Sequence, residues 1–271
     1  MLIQAVREDR WRWCETAAVT YLEPAVLHGN PRLCCVFTSR HAGRSGRTLN
    51  LGVDQGDRSA VRANRQRVLR ALGVGQRSLY TVHQVHGNQV CVVDAPAVYR
   101  GLAGVRADAL VTTLPEVPLG VVVADCLPIV LYSLQPRLLA LVHGGRMGTY
   151  HRIVPTVLAV LRRRFRVLPE QVYAVIGPGI GACCYRLDAR AIRPFQERFS
   201  DWERFCMPQG KGFWNMSLTR ATHAQLDAAG VPVAHRQTAD ICTVCHNEHF
   251  YSHRAEGQKA GRGMGIAVLR S

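Results

Sequence analysis

Residues 81–90 read TVHQVHGNQV, residues 107–133 read ADALVTTLPEVPLGVVVADCLPIVLYS, and residues 139–149 read LALVHGGRMGT. Each is a Val- and Leu-rich run of strand length that ends at, or is interrupted by, a side chain able to bind a metal or attack a substrate. Those side chains are His83 or His86, Asp125 with Cys126, and His143. A reactive polar group inside a buried strand carries a desolvation cost unless it is partnered. A single interruption reads as a satisfied core residue. Three of them on three neighbouring strands read as one shared site.

Upstream of this centre, 17–27 and 32–38 read as strands joined by the turn Gly29-Asn30-Pro31. Residues 38–52, TSRHAGRSGRTLNLG, form a Gly- and Arg-rich loop over the site, with Arg40 and Asn50 as candidate substrate contacts. Asp57 is placed to cap a helix over 58–72, which carries Asn64 and Arg65. Strands are expected at 79–85 and 89–94, with His86-Gly87-Asn88 as the tight turn between them. After a Gly- and Ala-containing loop, further strands start at 107 and run over 119–123, 129–132 and 138–142. A helix is predicted over 149–165 and a strand over 171–176, which leads into Gly177-Pro178-Gly179-Ile180-Gly181. Helices near 187–199 and 217–229, a segment at 238–245 and a strand at 264–269 complete the chain. No linker divides it, so one domain over 1–271 is expected.

Hydrophobic residues make up 48% of the 271, enough for a well-developed core, and no low-complexity tract suggests disorder. The longest apolar run, 119–134, is broken by Asp125 and Pro128 and is too short to span a bilayer. The N-terminus lacks an apolar core of signal-peptide type, which predicts a cytoplasmic protein. The net charge is +15, and of the 34 basic residues only Lys211 and Lys259 are not Arg. The densest run, Arg162-Arg163-Arg164-Phe165-Arg166, closes a helix, where cations complement the macrodipole. No nucleic-acid-binding motif accompanies it, so neither nucleic acid nor membrane is an expected partner.

His86, Cys126 and His143, separated by 40 and 17 residues, form a candidate metal set. Zinc accepts imidazole and thiolate, and three protein ligands leave a fourth tetrahedral position open, the catalytic arrangement. Copper accepts the same donors, and Met147 is near enough in sequence to serve as an axial ligand. The usual short Cys–His–Met loop of blue-copper sites is absent, however. A metal-free reading makes Cys126 a nucleophile and His143 its base. Ten cysteines, two pairs of them vicinal, do not resemble a disulfide framework. Cys242-Thr-Val-Cys245-His246 matches the haem-attachment pattern, but no export signal accompanies it. A second zinc site there would need another Cys/His pair, for which His249 and His253 are the nearby candidates.

QVHG, ADALVT, VVADCLPIVLY, LVHGGRMGT, IGPGIGACCY and FYSHRAEGQKAGRGMGIAVL, in this order, resemble the multicopper polyphenol oxidase (laccase-domain) family. That family is also called purine nucleoside phosphorylase or, in bacteria, peptidoglycan editing factor. FTSRHAG, LNLG and VRANRQRV fit it too, so the resemblance covers about residues 33–269. It implies a single α+β domain of mixed β-sheets flanked by helices. It also implies a zinc held by His86, Cys126 and His143, which selects His86 over His83. The implied chemistry is phosphorolysis of adenosine, inosine, guanosine and methylthioadenosine, adenosine deamination, and a link to editing of peptidoglycan precursors. Copper-dependent phenol oxidation is the family's alternative. Arg65 matches a family arginine near the substrate. Nucleoside and phosphate are the implied partners, and a monomer is the expected state. The family's H-A-G-W-R-G-T becomes His143-Gly-Gly-Arg146-Met147-Gly148-Thr149 here, which moves a cation by one position and makes Arg146 a candidate substrate contact. His253 stands where a Tyr is usual.

Overall fold

The structure is a computed structural model that describes residues 10–45, 47–53, 56–94 and 104–271. Residues 1–9, on which the leader expectation rests, and 95–103, in the Gly- and Ala-containing loop, lie outside the described residues. The described chain is a mixed α+β protein built in layers. A six-stranded sheet is made of β4 (Val90–Val93), β5 (Ala109–Thr112), β7 (Leu127–Leu134), β8 (Arg137–Gly144), β9 (Tyr173–Ile176) and β13 (Arg236–Thr238), in the order β13-β9-β7-β8-β5-β4. A five-stranded sheet orders β1 (Trp11–Glu15), β2 (Thr20–Pro24), β3 (Leu33–Thr38), β14 (Gly263–Leu269) and β6 (Leu119–Val123) as β1-β2-β3-β14-β6. In the larger sheet β4/β5 and β9/β13 run parallel and the remaining neighbours antiparallel.

Burial on both faces explains why β7 and β8 read as continuous apolar runs rather than alternating ones. Val130 and Tyr132 on β7, with Leu139 and Leu141 on β8, pack toward Leu22, Phe37 and Leu119 of the five-stranded sheet. Ile129, Leu131, Leu138 and Ala140 face the opposite way, into a second core closed by helices α3 (Ile153–Phe165), α4 (Ala189–Arg198) and α5 (Leu218–Ala229). Helix α1 (Arg58–Ala71) covers the outer face of the five-stranded sheet through Val68 and Leu69, against Val36, Met264 and Ile266. Each fully buried Leu or Ile in these layers contributes about 1.5–3 kcal/mol of burial energy.

Three expectations are revised. The strand over 79–85 is not continuous. The segment makes only isolated bridges, Tyr80 to Leu119 and His83 to Arg106, and then turns at His86, whose φ of 59° lies in the left-handed region. The helix over 149–165 is two helices, α2 (Arg146–Tyr150) and α3, broken at Arg152 with φ 58°. Pro155 accounts for the break, because a continuous helix would set its ring against the carbonyl of His151. That carbonyl instead accepts a bond from Asn88 Nδ2 at 2.8 Å, which ties the His86 turn to α2. Finally, Trp11–Glu15 forms a strand, and Arg186–Asp188 (β10), Cys206–Pro208 (β11) and Phe213–Met216 (β12) form a small three-stranded sheet, none of which the periodicity indicated.

Candidate metal centre

The pairing register brings the three candidate ligands together. Strands β7 and β8 are antiparallel neighbours, with Leu127 opposite Gly144 and Pro128 opposite His143. Cys126, one residue before β7, therefore meets the end of β8, and its neighbour there is Gly145. A Cβ on Gly145 would lie 2.8 Å from Cys126 Sγ and 3.2 Å from His86 Cδ2. On the other side of β8, Ala109 pairs with Val142, and the His143 N–H donates to Asp108 O at 2.8 Å. The turn before β4 then presents His86. One ligand atom from each of His86, Cys126 and His143 lies within 4.8 Å of the others. His143 is 3% exposed, Cys126 half-buried and His86 exposed, so the set opens toward solvent on one side.

Asp108 holds this geometry and was not singled out from the sequence, where its signal is an acid opening the otherwise apolar run ADALVT. It is fully buried. One carboxylate oxygen accepts from the His86 N–H at 2.9 Å and from His143 Nδ1 at 2.8 Å. The other accepts from the N–H groups of Gly87 at 2.7 Å and Val85 at 3.2 Å. One side chain thus fixes the left-handed turn that carries His86 and the orientation of the His143 ring, which leaves His143 Nε2 available as a metal donor. Burial opposes ionisation of Asp108, but the bonds from His143 and Gly87 hold its pKa below the usual carboxylate value.

In the chain without metal, burial opposes charge on Cys126 and on His143. Their mutual attraction outweighs it, and His86 and Asp108 add to the effect: the thiol is held below its ordinary pKa and the imidazole above. A half-buried thiol inclined to ionise beside two imidazoles, one with its orientation fixed by a carboxylate, is a donor set that fits zinc or copper.

The centre lines a cavity of about 720 Å³. Four arginines also line it: Arg65, Arg146, Arg254 and Arg262. Arg65 reaches the cavity from α1 and donates through Nε to Leu51 O at 2.9 Å. Arg146 and Arg254 both act on Tyr185, the Arg254 guanidinium 5.2 Å from its ring centroid. Burial raises the Tyr185 pKa, and the two guanidiniums oppose the rise. The acidic member of the lining, Asp125, has a left-handed φ of 87°. It is engaged elsewhere, accepting from Thr243 Oγ1 at 2.7 Å and from the Arg254 N–H at 2.6 Å. It therefore does not orient His143.

Two expected substrate contacts are placed elsewhere. Arg40 donates to Asn247 O at 2.7 Å and pairs with Glu256 at 2.8 Å, while its guanidinium lies over the Tyr251 ring. Asn50 Oδ1 accepts from the N–H groups of Gly52 at 3.0 Å and Arg262 at 2.9 Å. Both clamp the Gly- and Arg-rich loop to the C-terminal segment rather than line the cavity. Their polarity, visible in the sequence, is taken up by partners in the C-terminal segment that only the fold supplies. His83 and His253 line the cavity, and neither belongs to the ligand cluster.

Gly145→Ala is expected to lower the metal content of this centre while the far-ultraviolet circular dichroism stays unchanged. The glycine has φ −91°, which alanine adopts freely, so the cost falls on the ligands its methyl would touch. Full metal occupancy in the variant would contradict this packing.

The layered α+β fold and an open His–Cys–His cluster in an arginine-lined cavity describe a protein with a candidate metal site in a cationic pocket. The chain belongs to the family described as multi-copper polyphenol oxidoreductase laccase, which it matches over residues 34–270. It is 31% identical over 248 residues to a Geobacillus stearothermophilus protein named purine nucleoside phosphorylase YlmD, covering 86% of this chain and 89% of that one. The crystal structure of YlmD superposes with a TM-score of 0.86 at 27% identity, covering 96% of this chain and 99% of the other. A protein from an unknown prokaryotic organism, named adenosine deaminase RL5, is 32% identical over 199 residues, covering 70% of this chain and 75% of its own length. Among the described residues no helix is long and apolar enough to cross a membrane.

Proposed function

We propose that the chain is a cytoplasmic, monomeric zinc enzyme, one catalytic domain over 1–271, that phosphorolyses adenosine, inosine, guanosine and methylthioadenosine. The observation that carries this is the cavity: a three-ligand metal set stands beside four arginines in a space of nucleoside size. His86, Cys126 and His143 would hold the ion. When bound, zinc would supply Lewis acidity to a phosphate or sugar oxygen. The protein's own contribution is electrostatic and positional. Arg65 and Arg146 bind and orient phosphate through planar donor forks. Asp108 keeps the ligand imidazoles in place. In the reaction phosphate attacks the anomeric carbon, the bond from that carbon to the purine nitrogen breaks, that nitrogen takes up a proton, and the free base leaves with ribose 1-phosphate, or 5-methylthioribose 1-phosphate from methylthioadenosine.

The names of YlmD and RL5 support phosphorolysis and deamination respectively. The cationic lining favours phosphorolysis as the main reaction, with adenosine deamination as a second activity of the same centre. The link to peptidoglycan-precursor editing is supported by the sequence resemblance.

The test is a nucleoside panel with and without phosphate, read by base release, together with elemental analysis. Phosphate-dependent base release that is lost on chelation and restored by zinc is expected. Arg146→Ala is expected to raise the KM for phosphate about tenfold, the cost of about one charge-assisted bond. Phosphate-independent conversion of adenosine to inosine alone would make the protein a deaminase. Phenol oxidation with stoichiometric copper would make it an oxidase. Turnover that survives chelation and is destroyed by thiol alkylation would replace the metal reading with a Cys126–His143 hydrolase.

A further inference from the structure

Outside the catalytic cavity a second group of metal-binding atoms gathers: the sulfurs of Cys183, Cys184, Cys242 and Cys245 all lie within 4.8 Å of one another. They come from two loops about sixty residues apart in the chain. Cys245 Sγ is 3.6 Å from Cys183 Sγ and 3.5 Å from Cys184 Sγ. Zinc–thiolate bonds of about 2.3 Å in a tetrahedron put neighbouring sulfurs about 3.8 Å apart. The observed spacings are therefore close to those that one ion imposes, and well beyond a disulfide bond of about 2.05 Å. We propose that these four cysteines form a second, structural zinc site, separate from the His86–Cys126–His143 centre.

The surrounding backbone supports this assignment. The Gly181 N–H donates to Cys242 Sγ at 3.2 Å, a bond that favours the thiolate over the thiol. A Cβ on Gly181 would lie 3.0 Å from both Cys183 Sγ and Cys242 Cβ, so the turn needs glycine to bring the vicinal pair up to the Cys242-x-x-Cys245 turn. The two loops are already paired by Gly179 N–H to Ile241 O at 3.2 Å and Thr243 N–H to Gly179 O at 3.0 Å. The second pair of ligands is thus Cys183-Cys184 and not the histidines that follow Cys245. His246 contacts Glu248, His249 packs on Trp13, and His253 faces the cavity. Four sulfurs around one point select zinc or iron. A polynuclear iron–sulfur cluster spreads its cysteines over several irons, farther apart than a single ion does, so the compactness here points to a mononuclear site.

The site would staple one wall of the catalytic cavity. The first loop carries Ile180 and Tyr185 to the lining. The second leads to α6 (His253–Glu256), whose His253 and Arg254 also line it. The two meet at Asp125, next to Cys126, whose carboxylate takes Thr243 and the Arg254 N–H and whose carbonyl takes Ile180 N–H at 2.7 Å. Structural zinc contributes directly to folding energy, so this wall should loosen when the metal leaves.

The assignment is tested by metal stoichiometry on the full chain purified under reducing conditions and loaded with zinc alone. Two zinc ions per chain are expected for the wild type, one for Cys126→Ala, one for the double variant Cys183→Ser/Cys245→Ser, and none for the triple variant. Cys183 and Cys245 are exposed, so serine there leaves the core intact. Cobalt substitution gives a second readout. Four of the five ligand sulfurs belong to this site, so most of the thiolate-to-cobalt absorption should vanish in the double variant while that of Cys126 remains. A thiol titration of the unmodified chain is independent of any variant: zinc should protect four thiols beyond Cys126. Unchanged zinc content in the double variant, iron in place of zinc, or a mass short by the hydrogens of two disulfides would overturn the proposal. Because the Cys126 variant is scored separately, failure here is distinguishable from failure of the catalytic centre.

Discussion

Cys126→Ala is expected to lose one metal ion per chain and to lower kcat/KM at least about 10³-fold, about 4 kcal/mol of transition-state stabilisation. In the proposed site Cys126 supplies the thiolate among three ligands, and the remaining imidazoles, one of them exposed, would hold a divalent ion far more weakly than the full set. Truncating the side chain also removes the partner that raises the His143 pKa, leaving that imidazole closer to its ordinary value beside Asp108. Stability should follow metal affinity. Zinc that binds only the folded state raises the melting temperature of the wild type, and the part of that rise due to this centre should disappear in the variant. Elemental analysis, phosphorolysis kinetics and melting with and without zinc check the three parts. A variant that keeps both its full metal content and its turnover would remove Cys126 from the site.

Asp108→Asn should weaken zinc binding at the catalytic centre about 10–100-fold, the usual effect of losing a carboxylate behind a ligand histidine. It should also destabilise the metal-free chain by about 2–6 kcal/mol. The magnitude follows from counting bonds. The carboxylate accepts four, from Val85, His86, Gly87 and His143, and an ionised carboxylate has about four acceptor sites. An amide of the same shape offers one oxygen and turns its NH2 toward donors on the other side. In either orientation two buried N–H donors lose their partner, at about 1–3 kcal/mol each. The His86 turn has a left-handed residue in it, and among the described residues no other side chain bonds its three N–H groups, so it should be the first part to loosen. Competition with a zinc chelator measures the affinity, and thermal melting of the metal-free chain measures the stability. Unchanged values for both would show that the turn is held by something other than Asp108.

Much of this protein is legible in its one-dimensional pattern. The apolar runs at 119–123, 129–132 and 138–142 appear as β6, β7 and β8, since burial on both faces forces continuous hydrophobicity that local inspection detects. Asp57 caps α1 as its position suggested, accepting from Ser59 N–H and Ala60 N–H. Cys126, His143 and either His83 or His86 stood out because reactive groups are conspicuous in apolar strands; the family resemblance selected His86, and the structure brings His86, Cys126 and His143 together. The division of one expected helix into α2 and α3 was also recoverable, since Pro155 was in view and its clash with the His151 carbonyl is a local effect.

Other features depended on contacts between distant residues. Arg40 and Asn50 look like ligand contacts in a Gly- and Arg-rich loop, yet Glu256 and the Arg262 N–H, more than two hundred residues away, engage them. Asp108 gave a weak local signal because its importance lies in four bonds from two separate segments. Cys183-Cys184 and Cys242-x-x-Cys245 were each visible as pairs, but their convergence depends on parallel pairing between the loop after β9 and the turn after β13. Composition and periodicity by themselves determined the strands, the core and the kinds of donor atom this chain owns, because burial and side-chain chemistry are properties of residues and their immediate neighbours. Only the tertiary structure decided which donors share a site and which cations line the cavity, because strand register and loop docking depend on the packing of the whole chain.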